Sequence, residues 1–341
     1  MSELSHQRAG SGISRRSWIV EGLCALAAVA SAGLPLAARA QATAWPERAI
    51  TLIQPYAPGT ATDASSRFIA QKIGERWKVP LVMDHRSGAN GLIGTELAAR
   101  SAPDGYSLLV AANGVVTNNT LYPKLSFNGL RDFVAVARLG YAPLVLVVPA
   151  SAPYKSVPEL LAAARPKPGD MSYGSAGNGS SGHLAGALLA SIGKFDALHV
   201  AYKGGSPALV DLIAGRTSFM LLNPLEVLPH IQSGRLRALA VSGAQRAPML
   251  PNVPTMAEAG LPNFDASVWW TLLAPAGTAP EVVAKLNAET RKALADAGTR
   301  EKLGALGAVI TPSSPQEAAA FLKSESAKWE QVIRAADIKA D

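Results

Sequence analysis

Cysteine is nearly absent: the 341 residues contain one, Cys24. That excludes a disulfide framework and a thiolate metal cluster. Charge is sparse, with charged residues at 17% against a usual share of about 25%. Aromatics make up 6% and no lysine/arginine run occurs, so nothing marks a nucleic-acid surface. The five histidines, His6, His85, His183, His199 and His230, show no close metal-ligand spacing. A net charge of +7, from 32 basic and 25 acidic residues, is mild for this length. Apolar residues, by contrast, make up 48% of the chain. That supports a packed core and excludes global disorder. The length fits two ordinary domains or one large one.

Residues 1–40 read as an export leader. Ser14-Arg15-Arg16-Ser17-Trp18-Ile19 precedes an Ala-rich apolar stretch to Leu36, and Ala38-Arg39-Ala40 is a small-x-small cleavage site. The paired arginines also fit a twin-arginine signal, with Glu21 as a departure. Cleavage after Ala40 removes Cys24, together with Arg8, Arg15, Arg16, Arg39, Glu3 and Glu21. No later segment is apolar for the ~20 residues a membrane span needs. The expected product is a soluble periplasmic protein. Nucleotide cofactors are not generally available there, and no cofactor is expected.

The remainder alternates strand-like and helix-like segments. Short β-rich runs fall at 49–54, 80–84, 107–112, 144–148, 171–175, 199–202, 219–222 and 236–241. Helical patterns fall at 60–77, 91–100, 156–165, 182–192 and 207–214. Ser156-Val157-Pro158-Glu159 and Ser314-Pro315-Gln316-Glu317 read as capping boxes, and Thr278-Ala279-Pro280-Glu281 as the cap of a helix to about 297. This alternation predicts the α/β class, with parallel sheets covered by helices. One sheet would need roughly a dozen strands, so two sheets are expected. The Pro-rich stretch 248–262 reads as a surface connection.

Four glycine-rich loops lie between a strand and a helix. They are Pro55-Tyr56-Ala57-Pro58-Gly59-Thr60-Ala61-Thr62-Asp63, Arg86-Ser87-Gly88-Ala89-Asn90-Gly91, Gly174-Ser175-Ala176-Gly177-Asn178-Gly179-Ser180-Ser181-Gly182-His183 and Tyr202-Lys203-Gly204-Gly205-Ser206. In an open α/β sheet the strand carboxyl ends face a crevice where ligands bind. Backbone N–H groups at a helix N-terminus favour an anion, carboxylate or phosphate. Two such loops, one per domain, would hold an acid from both sides.

Simpler roles compete at several of these residues. Thr60-Ala61-Thr62-Asp63 is itself a capping box, which gives Asp63 a structural role at the helix start. Gly177-Asn178-Gly179-Ser180-Ser181-Gly182 spells G-x-G-x-x-G, yet no acidic residue closes a following strand about 20 residues on. His183 reads as holding its loop by hydrogen bonding. Trp269 and Trp270 read as core, and Lys203, Arg67 and Arg86 as solvated side chains. Enzyme motifs are missing: there is no G-x-S-x-G, H-E-x-x-H or G-x-x-x-x-G-K-[ST]. The enzyme alternative is an exported hydrolase using Ser175 or Ser180 with His183.

The chain beyond the leader resembles the Bug-type solute-binding receptors of tripartite tricarboxylate transporters, over nearly all of 46–340. The likeness is carried by Pro58-Gly59-Thr60-Ala61-Thr62-Asp63, Arg86-Ser87-Gly88-Ala89-Asn90-Gly91 and Ala102-Pro103-Asp104-Gly105-Tyr106. Tyr173-Gly174-Ser175-Ala176-Gly177-Asn178-Gly179, Tyr202-Lys203-Gly204-Gly205, Leu236-Arg237-Ala238-Leu239-Ala240-Val241 and Leu273-Ala274-Pro275-Ala276-Gly277-Thr278 follow in order.

The resemblance implies a type II periplasmic-binding-protein fold: two α/β lobes joined by two crossing strands, with a ligand cleft. It places lobe one at 41–141 and 242–341 and lobe two at 142–241. The crossings fall near 137–144 and 238–242. It implies a small carboxylate ligand, delivery to membrane transporter subunits, a monomeric state and no enzymatic activity. A ligand-sensing partner of a membrane kinase is the other role this fold serves. Carried onto this chain, the ligand-binding candidates are Tyr56, Gly59, Thr60 and Ala61 in lobe one. Lobe two supplies Ser175, Ala176, Asn178, Ser180, Tyr202 and Asn223. Two departures stand out. Thr60 replaces the second glycine of the family's Pro-x-Gly-Gly loop, and Leu222 stands where relatives often carry aspartate. The second departure argues against an amino-acid ligand.

Overall fold

The computed structural model describes residues 45–339 except 57, 167 and 306. The leader expected over 1–40 lies outside them.

The first sheet begins with β1 (Ile50–Gln54), a strand buried at nearly every position. A strand covered on both faces reads as a continuous apolar run, which is the parallel-sheet signature. It pairs in parallel with β2 (Leu81–His85) and β3 (Ser107–Ala111). Helices α1 (Ala61–Trp77) and α2 (Leu92–Ala99) make the crossovers. After β3 come α3 (Gly114–Leu121) and the long strand β4 (Phe133–Pro143). The chain then leaves this sheet. Residue 144 leads into β5 (Val145–Pro149), the fully buried middle strand of a second set.

The second set repeats the plan. After α4 (Val157–Ala164) come β6 (Met171–Ser175), α5 (Ser181–Gly193), β7 (Ala197–Ala201), α6 (Gly205–Ile213), β8 (Met220–Leu222), α7 (Pro224–Gln232) and β9 (Leu236–Val241). Strand β6 pairs in parallel with β7, and β5 lies antiparallel between β8 and β9. A parallel bridge from Tyr173 to Phe219 joins β6 to the segment entering β8. The order is therefore β7-β6-β8-β5-β9. The chain returns through 242–266 to β10 (Ser267–Pro275), which inserts antiparallel between β3 and β4. A two-residue β11 (Val309–Ile310) extends the first sheet to the order β11-β4-β10-β3-β1-β2. Each sheet thus receives its antiparallel strand from chain that has just left the other sheet. Two α/β lobes linked by two crossings result, which is the type II periplasmic-binding arrangement.

Helices α8 (Pro280–Ala295) and α9 (Ala297–Ala305) cover the first sheet, and α10 (Pro315–Ala335) closes the fold. Ala318 and Leu322 of α10 join the core of Ile53, Leu109, Phe133, Trp269 and Leu273. Trp329 and Ile333, farther along the same helix, join Leu146, Leu160, Tyr173, Leu184 and Phe219. One helix therefore serves both cores; each buried leucine or isoleucine contributes about 1.5–3 kcal/mol of transfer free energy. Trp269 and Trp270 are fully buried, as expected. The indoles of Trp269 and Trp329 both donate to Glu325 Oε2, at 2.8 and 2.9 Å.

Local expectations divide. Thr60, Ser156, Ser180 and Ser314 all cap helices with their hydroxyls. The 278–281 cap does not form: α8 starts after Ala279 with no side-chain cap, and the Thr278 hydroxyl donates to Pro275 O instead. Nor is 248–262 only a surface connection, because it buries Met256 and Leu261 in the second core. Among the described residues no helix is long and apolar enough to cross a membrane.

Candidate functional site

The site is built from loops at the carboxyl ends of the parallel strands. In the first lobe β1 runs into 55–60. Gly59 holds φ +85°, a backbone that side chains disfavour. Its N–H donates to Asp63 Oδ2 at 2.9 Å. Thr60 caps α1, its hydroxyl accepting from Asp63 N at 3.3 Å. Asp63 is buried, receives Arg67 Nε on Oδ2 at 3.1 Å, and has His85 Nε2 2.8 Å from Oδ1. Burial alone would raise its carboxyl. The Gly59 amide, the Arg67 guanidinium and His85 outweigh burial and hold it below the usual carboxylate range. Asp63 thus ties the loop, α1 and the end of β2 into one unit. Helix α1 leaves the N–H groups of Ala61 and Thr62 with no intrahelical acceptor, at the positive end of its dipole.

Tyr56 packs into the same corner. A Cβ on Gly114 would lie 3.0 Å from its hydroxyl oxygen, and one on Gly91 3.2 Å. Burial raises the phenol far above its ordinary range, against hydrogen bonds with the backbone of Gly114 and Ala112.

In the second lobe Ser175 ends β6, fully buried. Its Oγ donates to Gly177 O at 3.0 Å, accepts from Gly177 N at 3.1 Å and lies 2.7 Å from His199 Nε2. The parallel β6–β7 register sets Ser175 beside Ala201, one turn of the pleat from His199. The His199 ring stacks on His183 at 3.5 Å between centroids and 9° between planes. His183 Nδ1 accepts from Gly179 N at 3.1 Å, which requires the neutral ring. Burial lowers its pKa to about 3, with His199 contributing. Ser180 caps α5 through His183 N at 3.3 Å. The N–H groups of Ser181 and Gly182 then lack an intrahelical acceptor, as those of Ala61 and Thr62 do in the first lobe.

The other expected residues divide between lining and holding. Ala176 is exposed, while Asn178 and Ser180 are half-buried. Asn223 caps α7, its Oδ1 accepting from Leu225 N at 3.4 Å. The Tyr202 hydroxyl donates to Asp211 Oδ2 at 2.8 Å, and Asp211 also takes Arg216 at 2.6 Å. Arg67 and Arg86 pair with Asp63 and Asp84 rather than standing free. As for the hydrolase alternative, the Ser180 hydroxyl accepts from the backbone N–H of His183, and Ser175 Oγ lies beside the ring of His199 rather than that of His183.

Sequence reasoning passed over His199 and Asn118. His199 is one of five scattered histidines, and only strand pairing brings it to Ser175. Asn118 lies in a helix with no apolar period. A shallow hollow of about 350 Å³ beside Arg67, Gln71, Leu81 and Met83 lies on the flank of α1 and β2. It is not at the strand carboxyl ends, and the loop geometry weighs more than its size.

Comparison with known proteins meets this geometry. Residues 66–338 match the model of the tripartite tricarboxylate transporter family receptor. The chain is 36% identical to Protein BugT of Bordetella pertussis over 308 residues, 90% of this chain and 94% of that protein. Among solved structures it is similar to R. palustris Rpa4515 with adipate: TM-score 0.78 and 35% identity, covering 86% of this chain and 99% of that one. MatC from Rhodopseudomonas palustris with bound malate gives TM-score 0.75 and 31% identity, covering 85% and 100%. With its two lobes, paired helix N-termini and full-length relatives, the chain belongs to the tripartite tricarboxylate transporter receptor family of solute-binding proteins.

Proposed function

We propose that this protein captures a small carboxylate between its lobes in the periplasm and delivers it to the membrane subunits of a tripartite tricarboxylate transporter. It acts as a binding protein and not as an enzyme. The observation that carries this reading is the two pairs of helix N-terminal amides, Ala61/Thr62 and Ser181/Gly182, one per lobe, at loops that glycine lets turn sharply. They offer hydrogen bonds and positive dipole ends. That suits a carboxylate that must later be released. Relatives with bound adipate and malate, matched along almost their whole length, support the class.

Within the loops, Thr60, Ala61, Ala176, Asn178, Ser180 and Asn223 line the cleft. Tyr56, Gly59, Ser175 and Tyr202 hold its shape through Gly114, Asp63, His199 and Asp211. Lobe one comprises 41–141 and 242–341, and lobe two 142–241. The leader 1–40 directs export. An acid entering the open cleft takes the amides of one lobe, and hinge closure brings the second pair to it.

Thermal denaturation of the exported protein across a panel of diacids, hydroxy acids, aromatic acids and acidic amino acids tests this. A ligand at 100 times its dissociation constant stabilises by about 2.7 kcal/mol. A large shift with one acid class establishes the reading. No shift with any acid, together with ester turnover lost in Ser175→Ala, would replace it with the hydrolase.

A further inference from the structure

Asn90 follows β2 of the first sheet, and Gly179 follows β6 of the second. The two loops nevertheless meet: Asn90 Nδ2 donates to Gly179 O at 3.0 Å. The same nitrogen donates to Asn118 Oδ1 at 3.0 Å, and Asn118 Nδ2 donates back to Asn90 O at 3.1 Å. Both hydrogens of the Asn90 amide are therefore used, one within its own lobe and one across the cleft. The orientation of that amide is forced, because a flipped group would set its oxygen against two acceptor oxygens.

The backbone on each side is shaped for this meeting. Asn90 holds φ +52°, between Gly88 at +138° and Gly91 at +83°; asparagine is among the few residues that tolerate the left-handed region. Asn118 is fully buried, so the arm that aims Asn90 rests on fixed structure. Across the gap, Gly179 holds φ +72°. Its N–H is anchored on His183 while its carbonyl faces Asn90. A Cβ there would lie 2.5 Å from Leu121 Cδ1 and 2.9 Å from Asn90 Nδ2. Only glycine lets the loops approach this closely. Gly179 stands two residues before the free amides of α5.

We infer that Asn90 is a positioning residue that clasps the two lobes, donating to Gly179 O to favour the closed cleft and slow release of the bound acid. This rests on the cleft reading above. Asn90 acts through the Gly179 loop and need not touch the ligand. A single neutral hydrogen bond of this kind shifts the open–closed ratio by roughly 2- to 12-fold.

The test uses spin labels at Glu75→Cys and Ala162→Cys, exposed positions on α1 and α4, in the exported protein. Their separation is measured without and with adipate, and adipate dissociation is followed by stopped flow. Asn90→Gly keeps the left-handed backbone and removes the amide. Asn90→Asp keeps the shape but turns the donor into an acceptor facing two oxygens. Both variants are expected to lengthen the label distances, Asp more than Gly, and to speed adipate release by roughly 2- to 12-fold while keeping the native fold. Distances superimposable on the parent in both natively folded variants would overturn the clasp. Failure of adipate to bind while the distances still shift counts against the carboxylate reading and leaves the clasp standing.

Discussion

Leu144 and Ser242 hold each other where the chain crosses between the sheets. Ser242 N donates to Leu144 O at 2.8 Å, and Leu144 N donates to Ser242 Oγ at 2.8 Å. The Ser242 hydroxyl in turn donates to Ala266 O, just before β10. Both crossings and the return segment thus share one buried hydroxyl, so bending at one crossing moves the other.

Removing that hydroxyl is therefore costly. Ser242→Ala leaves the buried Leu144 N–H and Ala266 carbonyl without partners, at about 1–3 kcal/mol for each unsatisfied group. Urea denaturation is expected to show a loss of about 2 kcal/mol or more. A loss below about 0.5 kcal/mol would mean that the crossings are held by their strands alone.

Asp63 gives a prediction whose sign separates two roles. A negative charge beside an anion site opposes binding, so its neutralisation would tighten a rigid site. Here the carboxylate anchors the Gly59 amide, Arg67 and His85, and one amide side chain cannot replace all three acceptor contacts. Asp63→Asn is expected to weaken acid binding by about tenfold, or about 1.4 kcal/mol. Titration calorimetry reads this directly, and tighter binding would reject the anchoring role.

The sequence reveals local structure well and distant partnership poorly. Strands Val145–Pro149 and Leu236–Val241 carry dense apolar runs and fall within a residue of where their pattern puts them. Helix Gly114–Leu121 leaves no such mark. Its β-branched and asparagine residues are weak helix formers, and burial of Thr117 and Asn118 holds it in place. Helix Pro224–Gln232 carries Pro229 inside it, a breaker by local rules. The glycine loops of the site are visible as motifs. What they hold is not: Asn90 and Gly179 are 89 residues apart, and Leu144 and Ser242 are 98. Only the exchange of strands between lobes brings these pairs together, and no local period encodes it.

His183 makes stability depend on pH. Its pKa falls from 6.5 to about 3 in the fold, chiefly through burial. Between those values the unfolded chain binds a proton that the folded ring refuses. The stabilisation is therefore complete above pH 6.5 and drains as pH falls, at up to about 1.4 kcal/mol per pH unit. His230 is also lowered by burial and acts in the same direction. The contribution of His183 is the difference between the parent and His183→Asn, whose carbonyl oxygen replaces Nδ1 as acceptor for Gly179 N. Urea midpoints between pH 4 and 7 are expected to fall less steeply in the variant. Parallel slopes would show that His183 does not carry the dependence.

The two cleft glycines should respond differently to the same methyl group. At Gly59 a Cβ meets nothing within 4 Å, so Gly59→Ala suffers only from its φ of +85°. A left-handed alanine costs about 1–2 kcal/mol of backbone strain, which unfolding experiments would register. At Gly179 the backbone is also left-handed, but the methyl additionally strikes Leu121 and Asn90 across the cleft. That collision is relieved by opening the lobes, so it taxes closure more than folding. Gly179→Ala is therefore expected to lose acid affinity by more than tenfold, while Gly59→Ala loses less affinity at a comparable loss of stability. Calorimetric titration beside urea denaturation separates the two. Equal affinity losses would place the constraint in backbone angle alone and remove lobe contact from the account of binding.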